Sequence, residues 1–315
     1  MTESATELFG PVAHDLVTLE AQLRKEIGSD PPEVAGPMAD LFQAGGKRLR
    51  PALVLLAARC GTYEVERVLP AAMAVEVTHA ATLVHDDVID RSATRRGRPT
   101  VAASLGDEPA IVIGDFYFAK AYEHAARTRA HEVVVVLAEA VMKICAGEVR
   151  QQAIRYRYST GVDEYMERIE AKTATLLAAC CDIGALLGGL SDTNREALRN
   201  YGRSLGLAFQ IADDVLDYTG TEGEVGKPIG HDILEGFATL PLMLSSIHLD
   251  DDRRLNETDA RRIVEAVRKS DGPRDALAQA MNHARDARKH LQNLKRNEAT
   301  DALASLTDYV VTRKL

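Results

Sequence analysis

Two stretches of the chain read Leu83-Val-His-Asp-Asp-Val-Ile-Asp90 and Phe209-Gln-Ile-Ala-Asp-Asp-Val-Leu-Asp217. Each holds Asp-Asp-x-x-Asp inside an apolar run of helical character. At about 100° per residue, positions i and i+4 share one helix face, so Asp86 points with Asp90 and Asp213 with Asp217. Carboxylates on an apolar helical face are costly to bury and need a cation or a donor. The two clusters, far apart in sequence, are expected to form two walls of one metal-filled cavity. Hard carboxylate oxygens at this density suit Mg²⁺, which takes one or two carboxylates and leaves its other positions to phosphates and water.

Cationic residues stand beside both clusters. Lys47 and Arg50, three apart in Gly45-Gly-Lys-Arg-Leu-Arg-Pro51, are expected on one face of a helix opening. Arg95 and Arg96 follow the first aspartate helix, Lys172-Thr173 sits in an apolar helix, and Lys227 follows the second cluster. Arginine forks bind phosphate oxygens bidentately and lysine supplies a movable point charge. Six such cations around metal-binding carboxylates could hold two diphosphate groups, one chelated through metal and one on cations alone.

Helices must position these groups. The chain is rich in alanine and leucine, has no tryptophan, and is 5% aromatic, which favours helix over sheet. Helical patterns are expected over Thr6–Ile27, Pro37–Ala58 (interrupted at Gly45-Gly46), Val65 to about Arg91, Pro109–Arg127, His131–Arg155, Asp163–Gly188 and Asp192–Tyr218. Three or four more complete the chain. Val133-Val-Val-Val136 could pass for a strand, but its neighbours favour helix. Ser92–Thr100 and Thr219–Gly230 are expected loops. No linker divides the chain, so residues 1–315 read as one all-α domain.

The 315 residues are 46% hydrophobic and 27% charged, as in a soluble globular protein. The formal net charge of −9 argues against a nucleic-acid partner. Cys60, Cys145, Cys180 and Cys181 form no CxxC pair and are expected as reduced core residues of a cytoplasmic protein. Met1–Glu7 lacks a basic apolar start, so no signal peptide is expected. No membrane anchor is expected either, since no apolar run approaches the roughly 20 residues of a span.

The motifs, in order, resemble those of the trans-isoprenyl diphosphate synthases, the polyprenyl synthetase family. The match runs from about Gly45 to Pro241: GGKRLRP, HAATLVHDDVIDRSATRRGRPT, GDFYFAKA, GEVRQ, KTA, FQIADDVLDY and GKPIGHDILEG. The resemblance implies the isoprenoid synthase fold, one large helical domain around a central cavity. It implies a Mg²⁺-dependent transferase, with three ions per active site, that joins isopentenyl diphosphate to an allylic diphosphate. It assigns Asp86, Asp90 and Asp213 as metal ligands, with Asp87, Asp214 and Asp217 completing the acidic walls. Arg95, Lys172 and Lys227 match the allylic diphosphate site. Lys47, Arg50, His79 and Arg96 match the isopentenyl diphosphate pocket. Thr173 and Gln210 match residues that steady the reacting allylic carbon. A homodimer is implied as well.

Product length is expected from the residues just before Asp86. Thr82 lies one turn deeper and Ala81 flanks it; short-chain members close the pocket with an aromatic at one of these positions. Both are small here, which leans toward a product of about C30 to C50, with Phe118, Met142 and Leu55 as candidates for a deeper floor. The family often has Glu-Gly-Lys after the second motif, whereas this chain has Glu235-Gly236-Phe237, so one outer cationic contact is lost. Glu148 and Gln151 either orient site groups or only pack, and His85 reads as structural. The alternatives are a shorter-chain synthase, a class I terpene cyclase, and a non-catalytic partner subunit of a heteromeric synthase.

Overall fold

The computed structural model describes residues 9–43, 46–220 and 230–312. It is all-α, as expected, except for one two-residue hairpin. Helix α1 (Ala13–Ile27) gives way at Gly28, and α2 (Pro32–Gln43) opens on a proline, whose missing N–H costs nothing at a helix start. Helices α3 (Leu49–Arg59) and α4 (Val65–Ile89) follow.

The polar loop expected after α4 is a β-hairpin, β1 (Thr94–Arg95) and β2 (Arg98–Pro99), with Arg95 paired to Arg98. Its two turn residues, Arg96 at φ 52° and Gly97 at φ 74°, are both left-handed, which matches the strand twist of a two-residue hairpin. Then come α5 (Val101–Leu105), α6 (Asp107–Arg127) and α7 (His131–Ala153). The Val133–Val136 run is helical, inside α7.

The helix expected over Asp163–Gly188 is divided. Helix α8 (Val162–Ile169) passes into a π-helical turn at Glu170–Ala174 and then α9 (Thr175–Leu187). The remainder is α10 (Asp192–Thr219), α11 (His231–Leu234), α12 (Leu240–Met243), α13 (Glu257–Arg268), α14 (Gly272–His290) and α15 (Glu298–Thr312).

The chain forms two compact units. One comprises Met1–Glu139, Ala179–Arg199 and Asn293–Leu303; the other comprises Ala140–Ala178, Asn200–Gln292 and Ala304–Leu315. In the first, Ala52–Ala58 of α3 is buried all round, and α4 packs on it with its Val68–Ala81 stretch largely sealed. A methyl on Gly184 would lie 2.2 Å from the Val54 carbonyl oxygen, so only glycine permits this approach to α3. In the second, Tyr165, Ile169 and Ala174 pack with Leu207, Ile211 and Val215 of α10 and with Ala276 and Ala280 of α14. A neighbouring cluster gathers Tyr158, Tyr218, Ile233 and Ala238 with Val264 and Val267 of α13.

Two expectations need correction. Cys60, Cys180 and Cys181 are wholly or partly buried, but Cys145 is exposed on α7. By length and composition, α4 is apolar enough to cross a membrane, contrary to the sequence count, and 72% of the qualifying stretch is buried in the protein.

Candidate active site

In the first unit, α4 delivers the first motif at its C-terminal end. The Asp90 N–H bonds the Asp86 carbonyl at 2.8 Å, which closes the last turn and stacks the two carboxylates on one side. Both are half-buried, whereas Asp87 is 3% exposed. Arg95, on β1, donates from Nε to both Asp87 oxygens (2.9 and 3.1 Å) and from Nη2 to Oδ1 (2.8 Å). Burial pushes the Asp87 carboxyl up, and Arg95 pulls it back. The pair borders a cavity of about 250 Å³ also lined by Asp40, Arg98 and Thr100. A larger cavity of about 640 Å³, lined by Lys25, Glu26, Asp30, Lys120 and Arg127 among others, includes no predicted site residue.

Two turns further back on α4 from Asp86, His79 is held well below its ordinary pKa, first by burial and then by the charges of Arg50, Arg96, Arg95 and Arg48. The imidazole is therefore neutral in a cluster of guanidiniums. Arg96 is itself pushed down by burial and by Arg95, Arg48 and Arg50. Burial and the neighbouring guanidiniums press on Arg96, Glu76 offsets part of that, and an anion bound here would offset more. The predicted residues Arg50, His79 and Arg96 thus come together.

Lys47 does not take its predicted place on a helix. Arg48 adopts a left-handed conformation (φ 50°), α3 begins only at Leu49, and Lys47 is exposed before it. Arg48, missed in the sequence, is the buried member of this segment. It donates to Glu20 at 3.0 Å and to Glu76 at 2.5 Å. Two alternating acids on separate helices gave no local signal for that pairing.

In the second unit, the π turn sets the predicted Lys172 and Thr173. A methyl on Gly147 would sit 2.5 Å from Ala171 Cβ, and one on Gly206 2.5 Å from Ala174 Cα, so both flanking helices approach this turn at a glycine. Single π turns of this kind are frequent at functional sites. Lys172 Nζ lies 2.8 Å from Glu148, and Gln151 donates to the other Glu148 oxygen at 3.4 Å, so both residues serve to orient Lys172.

Thr173 donates to Gln210 at 2.7 Å, Gln210 donates to Asp214 at 2.8 Å, and Tyr165 donates to the other Asp214 oxygen at 2.7 Å. The predicted Thr173, Gln210 and Asp214 therefore form one chain of hydrogen bonds, ended by a tyrosine that the sequence did not single out. A buried tyrosine needs a partner for its hydroxyl, and Tyr165 is 1% exposed. The Asp214 carboxyl is pushed up to about 7, by burial first and by the Asp232 charge second, against the pull of Tyr165, Gln210 and Arg168. Asp213 is half-buried, and Asp217 is buried with its Oδ2 3.4 Å from the Asp232 N–H. Lys227 lies outside the described residues.

The donor set fits Mg²⁺. Asp214 is crowded by burial and a second acid, which a cation would relieve. Among the described residues no three His, Cys, Asp or Glu side chains are gathered closely enough to hold a metal by themselves.

A family model described as polyprenyl synthetase matches residues 31–283. The chain belongs to the polyprenyl synthetase family. Within the polyprenyl synthetases, heptaprenyl diphosphate synthase component 2 of Geobacillus stearothermophilus is 38% identical, over 97% of this chain and 98% of that one. A polyprenyl synthase of Caulobacter crescentus, solved with calcium and isoprenyl diphosphate, superposes with a TM-score of 0.93 at 35% identity, covering 99% of this chain and 98% of the other. A decaprenyl diphosphate synthase of Rhodobacter capsulatus gives 0.90 at 34% identity, covering 99% of both. As a polyprenyl synthetase, this chain is a prenyl-transferring enzyme of all-α fold.

Proposed function

We propose that the chain condenses isopentenyl diphosphate with an allylic diphosphate, head to tail, in a Mg²⁺-dependent reaction, and that its products reach about C30 to C50. The observation that carries this reading is the group of guanidiniums, Arg50, Arg95 and Arg96, whose charges act on His79, beside an Arg48 tied to Glu20 and Glu76. The family resemblance assigns Arg95, Lys172 and the aspartates to the allylic diphosphate.

Asp86, Asp90 and Asp213, with Asp87, Asp214 and Asp217 behind them, would hold the ions. Mg²⁺ held there would supply charge that offsets what grows on the leaving diphosphate, mainly in the transition state. Arg95 and Lys172 orient that diphosphate. The allylic C–O bond breaks with its electron pair on the diphosphate, and the isopentenyl double bond then forms the new C–C bond. The released pyrophosphate takes the proton that restores a double bond. Thr173 and Gln210 present oxygens near the positive carbon. Apolar walls exclude water that would quench it.

Ala81 is fully buried and Thr82 turns its hydroxyl back to the His79 carbonyl at 2.8 Å, so neither raises a bulky group before Asp86. Phe118 packs on His85 with ring centroids 5.5 Å apart and planes tilted by 51°, and it stays a candidate floor, as does the buried Leu55. Met142, expected as a floor candidate, is 64% exposed on α7 and lines no interior channel.

Val135, Met142 and Val149 stand exposed at seven-residue intervals along α7, an apolar stripe of the kind that seats a partner helix. It supports a homodimer. A second reading follows from the name component 2 carried by the Geobacillus relative. In that reading the stripe seats a different chain, and this one works as part of a heteromer.

The test is incorporation of labelled isopentenyl diphosphate by the purified chain, with geranyl, farnesyl or geranylgeranyl diphosphate, with Mg²⁺ and with a chelator. Chelator-sensitive incorporation supports the reading. No incorporation with any primer overturns the stand-alone enzyme and favours the heteromer.

A further inference from the structure

Phe237 stands where a family lysine is common, and what surrounds it is a pair of arginines. The Arg168 guanidinium lies 5.4 Å from the centre of the Phe237 ring and 5.5 Å from that of Tyr165, and its Nη2 donates to the Ala238 carbonyl at 2.7 Å. The Arg155 guanidinium lies 5.9 Å from the Phe237 ring, donates to the Glu235 carbonyl at 2.7 Å and pairs with the Glu235 carboxylate. Phe237 is 9% exposed. The turn beneath it is fixed by Gly236 at φ 87°, where a methyl would strike the Tyr156 ring at 2.4 Å, and by the Phe237 N–H donating to the Asp232 carbonyl at 2.9 Å.

Arginine over an aromatic face is held by the ring's negative quadrupole, and its plane lets it stack on two rings and still donate hydrogen bonds. Arg168 uses all of this at one point. One ring belongs to the 235–238 turn, and the other belongs to Tyr165, whose hydroxyl holds Asp214.

We propose that Arg168 is a positioning residue for the transfer reaction: clamped between Phe237 and Tyr165 and bonded to Ala238, it fixes the Tyr165–Asp214–Gln210–Thr173 hydrogen-bond chain at the allylic diphosphate site. Phe237 is then an integral part of this site, because its ring seats the arginine. The inference rests on the reading that the second motif binds metal and diphosphate. A lysine at position 237 would set an ammonium beside two guanidiniums, so restoring the common family residue is expected to impair this chain.

The test uses the full chain and four variants, Arg168→Gln, Arg168→Lys, Phe237→Leu and Phe237→Lys. Two readouts are taken: steady-state kinetics against each substrate and against Mg²⁺, and calorimetric binding of Mg²⁺ with inorganic pyrophosphate. For Arg168→Gln the KM for the allylic substrate and the half-saturating Mg²⁺ are expected to rise about tenfold, with pyrophosphate binding weakened alike, while the KM for isopentenyl diphosphate stays put. Arg168→Lys recovers part of the loss, and both Phe237 variants lose in the same columns. Unchanged Mg²⁺ and allylic parameters in Arg168→Gln, or equal losses for both substrates, overturn the clamp. Should Arg168→Gln fail to fold, Phe237→Leu decides on the same two readouts. Wild-type chain that binds Mg²⁺-pyrophosphate but incorporates nothing refutes the stand-alone enzyme, and the binding arm still judges the clamp.

Discussion

Arg95 lays its guanidinium across the carboxylate of Asp87, with three nitrogen–oxygen distances of 2.8 to 3.1 Å. Asp87 thus points its charge at an arginine, while Asp86 and Asp90 are the proposed metal ligands. The three acids of the first motif divide their work, and substitutions should separate it. Asp86→Ala is expected to cost roughly 10³-fold or more in kcat with helical content intact. Asp87→Ala leaves Arg95 unanchored and should mainly raise the KM for the allylic substrate, by about tenfold. Equal kcat losses in the two variants would contradict the division.

The second motif predicts a pH dependence. Asp214 has an ordinary value of 3.8 and is pushed up to about 7 in the folded chain. Between about pH 4 and pH 7 the native state therefore keeps a proton that the unfolded state has lost. Stability linked to this group is full at the acid end and falls as pH rises through about 7. Melting temperatures of the metal-free protein should decline over that window from this cause. Asp232→Asn, which removes the second contributor, should flatten the decline. Added Mg²⁺ should oppose it by taking the place of the proton.

Around His79 the expectation concerns affinity alone. Arg96→Ala removes one of the guanidiniums whose charges act on His79, beside an Arg48 tied to Glu76 and an Arg95 tied to Asp87. The KM for isopentenyl diphosphate should rise about tenfold while the melting temperature of the free protein holds or increases. A fall in melting temperature with unchanged KM would assign Arg96 to the fold instead.

Much of this site was legible in the sequence because its groups repeat at helical spacing. The i, i+4 rule placed Asp86 with Asp90, and the helical context of Val133–Val136 outweighed its β-branched residues. The KTA segment marked Lys172 and Thr173, and their link to Gln210 and Asp214 followed in the structure. What escaped lacks a periodic signature. A π turn adds one residue to a helix without changing its composition. Arg48 takes a left-handed conformation without being glycine, which moved the helix start past Lys47. Tyr165 and Arg168 act on residues some fifty to seventy positions away, and their partners are set by packing alone.

The most direct test of the account is the size of the product. Purified wild-type chain and Ala81→Phe are to be incubated in parallel with Mg²⁺, labelled isopentenyl diphosphate and farnesyl diphosphate, and the dephosphorylated prenols sized by chromatography. The account predicts a wild-type ladder ending at about C30 or beyond, and a variant ladder cut to about C15 to C20, because a ring at position 81 would block the path proposed for the growing chain. A wild-type product that already stops at the shorter length would contradict the open channel past Ala81 and Thr82.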